Sequence, residues 1–251
     1  LAQWHDFDLL AHGLPEALSL VDQTEETGTI LLTGPASRGL LKDLTDGDLT
    51  TPWLTHQSAV VAGAPVHLAR ISFAGELGWE ILAAPADMPA IWDALADAGA
   101  KPFGMLAMDS LRIEKGYRTW KGDLSSDYSL LEMGLDRFVK PDKPADYPGR
   151  ASLLAERQQG STRRAVTLTL ADHPRDPLTM SPIWRGNEIV GEVTSAAYGH
   201  RTGQLVALAM INADHAEPGN GIDVEVFGER VTASIAEGPA LWDPENLRIR
   251  A

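Results

Sequence analysis

ISFAGELGWEIL, residues 71–82, begins as a strand, stops being one and then resumes. Ile71 and Phe73 open an apolar alternation, and Ile81 and Leu82 take it up again. Between them lie Gly75, Glu76, Gly78 and Glu80. Alternation at period two marks a half-buried strand, and clustered glycines mark a turn. Glu76 therefore reads as a solvated turn acid. Glu80 reads differently, because Trp79 and Ile81 flank it where a strand buries its side chains.

Outward from this stretch, residues 58–84 look like a strand pair with turn signals at Gly63–Pro65 and Gly75–Gly78. TILLTG (29–34) reads as a buried strand closed by Gly34 and Pro35, and Ser37–Leu44 as a short helix. From Pro85 the period changes to that of a helix. Asp87 is the expected N-cap, Met88, Ile91, Trp92 and Leu95 recur at helical spacing, and Gly99 is the stop. A second helix is predicted from Met105 to Lys115, with Met105, Met108 and Leu111 as its apolar stripe and Gly116 as its end.

PDKPADYPGR (141–150) holds three prolines in ten residues and marks a boundary between regions 1–145 and 146–251. A short helix, 151–158, follows it. The remainder reads as strands: 163–171, a pair turning at Gly186–Asn187, 204–211, 221–228 and 229–237. Short β-branched strands with regular turns predict a small barrel or sandwich. The fold class is α+β, an α/β region with antiparallel sheets followed by a small C-terminal β-barrel.

Composition narrows the function classes. Of 251 residues, 44% are hydrophobic and 22% charged, which suits a globular protein with a sizeable core. The net charge of −14 argues against nucleic acid and anionic membranes as partners. No apolar run is long enough for a membrane-spanning helix, and no leader opens the chain, so a cytoplasmic location is expected. The absence of cysteine excludes thiolate sites and disulfides. Seven scattered histidines show no ligand spacing, and no metal is expected. GxGxxG, GxxxxGK[ST] and GxSxG are all missing, which removes dinucleotide, P-loop and serine-hydrolase readings. Glu76 and Glu80 would lie about 13 Å apart on an extended strand, too far for two-carboxylate chemistry.

A second polar stretch in an apolar setting is MDSLRIEKGYRTWKGDL, 108–124. Asp109 and Arg112 are spaced for an intrahelical ion pair. Arg112 also precedes Tyr117 and Trp120, a guanidinium fork beside aromatic faces. A glutamate in an apolar strand suits a partner that donates two parallel N–H bonds, such as an aminopyrimidine edge. Together these suggest a flat, nitrogen-rich heterocycle with a carboxylate tail.

RISFAGELGWEI (70–81) followed by MDSLRIEKGYRTWKGDL resembles the folate-binding aminomethyltransferase family, which includes the glycine cleavage T-protein. LLTGPASRGLL (31–41), LLEMGLDRFVKPDKPADYPGRASLL (130–154), EVTSAAYGHRTGQLVALAMI (192–211) and the closing LWDPENLRIRA are similar to the family as well. WKGDLSSD and KPADYPGR resemble the dimethylglycine and sarcosine dehydrogenase branch. The resemblance implies tetrahydrofolate as cofactor, with Glu80 as the pterin-binding carboxylate and Phe73 in place of a tyrosine beside the ligand. It implies that Arg112 lines the folate pocket and that Tyr117 is an aromatic wall. Glu114 is left as a helix-end charge.

The activity implied is tetrahydrofolate-dependent one-carbon transfer, capturing the unit from oxidised dimethylglycine- or sarcosine-type amines as 5,10-methylenetetrahydrofolate. Flavin would belong to a separate amine dehydrogenase domain or subunit. The family's N-terminal portion, with its catalytic aspartate, has no counterpart here, so no catalytic residue is assigned. The alternative is a non-catalytic folate-binding or interaction module of the same fold.

Overall fold

A computed structural model describes residues 2–251. The chain forms two compact units, one of residues up to Ile71 with Gly78–Lys101, the other of Ser72–Leu77 with Pro102–Ala251. Among the described residues no helix is long and apolar enough to cross a membrane.

The first unit runs α1 (Gln3–His12), β1 (Gly28–Thr33), α2 (Ser37–Leu41), β2 (His56–Val61), β3 (Ala64–Ala69), β4 (Gly78–Ala83) and α3 (Met88–Asp97). Its sheet is antiparallel in the order β1-β4-β3-β2. The stretch expected to be a strand pair is thus three strands. β2 and β3 are joined by Ala62 and Gly63, with φ of 52° and 82°, as a two-residue hairpin of type I′ requires. Pro65, expected in the turn, lies inside β3. It pairs with Val60 and sits outside the β3–β4 ladder, which covers His67–Ala69. Asp87 does occupy the N-cap position of α3, but its side chain makes no capping bond.

Trp79, Ile81 and Ala83 of β4 are buried together with Leu32, Val66 and Leu68. α2 packs on β4 and α3 on β1, burying Ile91 and Leu95. Because side chains alternate across a strand, Glu80 points to the opposite face. There it stands in one row with Leu31 and Ala69, its cross-strand neighbours.

The second unit holds α4 (Met105–Glu114), α5 (Arg150–Gln159) and six strands: β5 (Arg163–Leu170), β6 (Pro182–Arg185), β7 (Glu188–Gly199), β8 (Gln204–Asn212), β9 (Gly221–Val226) and β10 (Glu229–Ile235). They close into an antiparallel barrel in the order β10-β5-β8-β7-β6-β9, so the α+β class with a small C-terminal barrel holds. Inward residues of every strand fill it, including Leu168, Ile183, Val193, Val224 and Ala233. β8 is apolar on both faces. Leu205, Ala207, Ala209 and Ile211 face the barrel core, whereas Val206 and Leu208 pack with Ile113 of α4. A strand covered on both sides reads as an unbroken apolar run, which is the pattern of residues 204–211.

α4 inverts the expected amphipathicity. Met105 and Leu106 are exposed, whereas Ser110, Arg112, Ile113 and Glu114 are buried. The buried face is polar because other segments supply its partners, beginning with the Ser110 hydroxyl, which donates to the Tyr198 carbonyl at 2.7 Å. The helix ends at Gly116, whose φ is 71°. The Tyr117 N–H returns to the Arg112 carbonyl at 2.9 Å, a left-handed helix stop. A Cβ on Gly116 would lie 2.0 Å from the Pro239 carbonyl oxygen. Gly116→Ala is expected to cost about 2 kcal/mol or more, from clash and left-handed strain together. Urea unfolding of the variant beside the wild type checks this.

Candidate functional site

β4 is a central strand, so both of its backbone edges are paired and its residues are held rigidly. On this strand Glu80 is half-buried between Leu31 and Ala69. None of the hydrogen bonds or ion pairs among the described residues involves its carboxylate. Burial alone pushes the carboxyl above the ordinary glutamate range. A desolvated acid without a donor destabilises the fold, and the sign follows from linkage. A carboxyl whose folded pKa is raised opposes folding above that pKa and is neutral in its effect below the unfolded pKa. Glu80→Gln is therefore expected to raise the melting temperature at pH 7, with the gain disappearing toward pH 4. Thermal scans at the two pH values check this; an equal or opposite effect at pH 7 contradicts it.

The other three residues expected at the site belong to the second unit. Phe73 and Tyr117 stack on each other, with centroids 6.0 Å apart and ring planes at 15°. Burial raises the Tyr117 hydroxyl above its ordinary range, an effect opposed by the charge of Arg137 and reinforced by that of Asp243. Arg112 is 4% exposed and well supplied with acceptors. Its Nε donates to Asp109 at 2.8 Å, which is the expected intrahelical pair. Nη1 donates to the Tyr117 carbonyl at 3.0 Å and to Asp123 at 2.8 Å, and Nη2 to the Ser195 hydroxyl at 3.0 Å. Asp123 in turn accepts from the Thr119 N–H at 2.9 Å and from the Thr194 hydroxyl at 2.6 Å. Arg112 thus ties the 117–124 loop to α4 and to barrel strand β7, and it fixes the backbone of Tyr117.

Glu76, read as a solvated turn acid, is buried, and so is Glu114, read as a helix-end charge. Glu76 is 8% exposed and Glu114 is wholly buried. The reason is Arg201, in the turn between β7 and β8. Its Nε donates to Glu114 at 2.6 Å and its Nη1 to Glu76 at 3.1 Å and to the Ala74 carbonyl at 3.2 Å. Nη2 donates to the Leu111 carbonyl. Glu114 also accepts from the backbone N–H groups of Arg201 at 2.8 Å and Thr202 at 2.7 Å. The guanidinium lies 4.9 Å over the Trp242 ring, whose indole N–H donates to Glu76 at 2.9 Å. The Leu241 and Trp242 N–H groups reach the Glu114 carbonyl, so the C-terminal segment closes the end of α4. Beside it Lys115 pairs with Asp243 at 3.2 Å, and Gly75 passes so close that a Cβ would meet the Lys115 side chain at 2.6 Å.

Residue-by-residue reading did not single out Arg201, Trp242, Asp123 or Asp243. Arg201 and Trp242 lie in stretches that carry the family resemblance, which was the available signal. Their partners are 87 to 166 residues away, beyond any local pattern.

Comparison with known proteins accords with this architecture. The GCVT N-terminal domain model matches residues 1–143, and the glycine cleavage T-protein C-terminal barrel model matches residues 163–241. Mitochondrial dimethylglycine dehydrogenase of Homo sapiens is 36% identical over 235 residues, 90% of this chain and 27% of that protein. Human mitochondrial sarcosine dehydrogenase is 36% identical over 262 residues, 98% of this chain and 28% of that one. An aminomethyltransferase of Saccharopolyspora erythraea is 36% identical over 224 residues, 87% of this chain and 61% of that protein. The chain therefore spans between about a quarter and three-fifths of these relatives. The crystal structure of glycine cleavage system aminomethyltransferase T from Bartonella henselae superposes with a TM-score of 0.82 at 21% identity, covering 95% of this chain and 66% of that one, and shares its fold. With models of both the N-terminal domain and the barrel matched in order along the chain, this protein belongs to the glycine cleavage T-protein family.

Proposed function

We propose that the chain is the folate-binding region of a tetrahydrofolate-dependent one-carbon transferase, acting on units released by oxidation of dimethylglycine- or sarcosine-type amines. The observation that carries this reading is Glu80, a half-buried carboxylate on a central strand for which no described residue provides a donor. An aminopyrimidine edge offers two parallel N–H bonds to such a group, and such bonds gain strength where water is excluded. Ligand binding would offset the desolvation that the fold leaves uncompensated.

When bound, tetrahydrofolate supplies a nucleophilic amine that takes up the one-carbon unit. Glu80 of the first unit binds it by the ring edge and orients it. Orientation of this kind converts an encounter into a positioned reaction and contributes most of the acceleration. The one-carbon unit would come from a flavin-dependent amine dehydrogenase domain or subunit, in keeping with the names of the dehydrogenase relatives. Calorimetric titration with tetrahydrofolate tests the reading. One equivalent should bind saturably, and no heat of binding at millimolar ligand would refute it.

A further inference from the structure

We propose that His67 is a second ligand-binding residue beside Glu80, donating a hydrogen bond to the ring carbonyl next to the two N–H groups that Glu80 accepts. The inference rests on the folate reading above and lies wholly within the first unit. Sheet register is what points to it. Glu80 pairs with Leu31 of β1 and with Ala69 of β3, and Ala69 pairs in turn with His56 of β2. Leu31, Glu80, Ala69 and His56 therefore form one row across the face opposite the core. His67 stands two residues before Ala69 on β3, opposite Leu82, so it shares that face and is a diagonal neighbour of Glu80. Such neighbours lie about 7–8 Å apart at the backbone, within reach of long side chains. Burial along β3 alternates in step, with Val66 and Leu68 buried and His67 exposed. Among the described residues no hydrogen bond, ion pair or ring contact involves the His67 imidazole.

The edge of a reduced pterin carries three polar groups in a line. An exocyclic amine and a ring N–H donate, and the carbonyl beside them accepts. A carboxylate satisfies the two donors, but when ionised it has no proton to give the carbonyl. That oxygen needs a donor next to Glu80 on the same face. Thr29 and Thr33 of β1 and His67 of β3 are the strand residues diagonal to Glu80. Side-chain size chooses between the two sides. Leu31 fills the row toward β1, whereas Ala69 leaves a step toward β3 over which a flat ring can meet the carboxylate edge-on. A ring lying over Ala69 has His67 at its flank. Imidazole carries an N–H donor whether neutral or protonated, so His67 can make this bond in either state. A third bond would also fix the ring's rotation about Glu80, which the paired N–H contacts alone leave looser.

The test is calorimetric titration of 6-methyltetrahydropterin, which has the ring but no tail, into the wild type, His67→Ala, His67→Gln, Thr29→Val and Glu80→Gln. His67→Ala should weaken binding about tenfold, the loss of one hydrogen bond to the ligand. His67→Gln keeps an N–H donor and should stay within about threefold of the wild type. Thr29→Val, on the β1 side of Glu80, should bind as the wild type does. Because His67 is exposed, its variants should keep the wild-type melting temperature; a fall would show a structural role and overturn the assignment. Unchanged affinity in His67→Ala, an equal loss in Thr29→Val, or a glutamine variant as weak as the alanine one also overturns it. Glu80→Gln separates the two readings. If it weakens the tetrahydropterin and His67→Ala does not, the folate reading stands and the role of His67 alone fails. If the wild type binds no tetrahydropterin, both fail. A loss in His67→Ala without one in Glu80→Gln contradicts a ring edge shared by the two residues.

Discussion

Replacing Arg201 with methionine is expected to destabilise the barrel-containing unit by about 3–5 kcal/mol, the cost of stripping a buried ion pair of one partner. Methionine keeps much of the arginine stem's volume, so packing loss is small and charge loss dominates. Two buried carboxylates, Glu76 and Glu114, would lose their cation together. The Ala74 and Leu111 carbonyls would lose donors as well. Trp242 and the two N–H groups from Leu241 and Trp242 would still hold part of the cluster, so local loosening should spread from residues 72–77 and the C-terminal segment. A double variant, Arg201→Met with Glu114→Gln, should recover part of the loss, because it removes one of the stranded charges. Urea unfolding of these two variants and of Glu114→Gln alone measures the coupling. A single-variant loss below about 1 kcal/mol would place Arg201 with surface pairs.

The second large effect concerns binding. Glu80→Gln should weaken tetrahydrofolate by about two orders of magnitude, as truncating the charged partner of a desolvated hydrogen-bonded pair typically costs 2–5 kcal/mol. Glutamine retains one acceptor oxygen and adds an N–H₂ that meets the ligand's own donors, so the substitution turns one of two attractive contacts into a repulsive one. The same variant is expected to be more stable at pH 7, as linkage requires. Loss of affinity with gain of stability is the signature of a group kept for its ligand. A variant that loses both would mark Glu80 as structural.

Legibility in the sequence followed the reach of the interactions. The six barrel strands could be read because alternation, β-branched residues and turn glycines are local, and Gly186–Asn187 marks its turn directly. Glu80 could be read for the same reason: its anomaly lies between its own neighbours, Trp79 and Ile81. Glu76 was misread because an acid at a turn is ordinarily solvated, and nothing local marks the burial of Glu114 at its helix end. What buries them is Arg201, 125 and 87 residues away. α4 was misread for a related reason. Its apolar stripe at Met105 predicted a buried face, but the partners that let Arg112 and Glu114 be buried come from the 117–124 loop, the barrel and the C-terminal segment. Arg112 was expected at the ligand. Four of its five N–H groups go to protein acceptors, a count that only the folded chain reveals.

The central claim is that Glu80 is a carboxylate the fold leaves for a ligand. Its titration, followed by carbon NMR of the side-chain carboxyl with and without tetrahydrofolate, tests this most directly. The account predicts a pKa above the ordinary glutamate range in the free protein, because burial disfavours the charge. It predicts a fall on binding, because donated N–H bonds favour the ionised form. An ordinary pKa in the free protein, unmoved by the ligand, would contradict it.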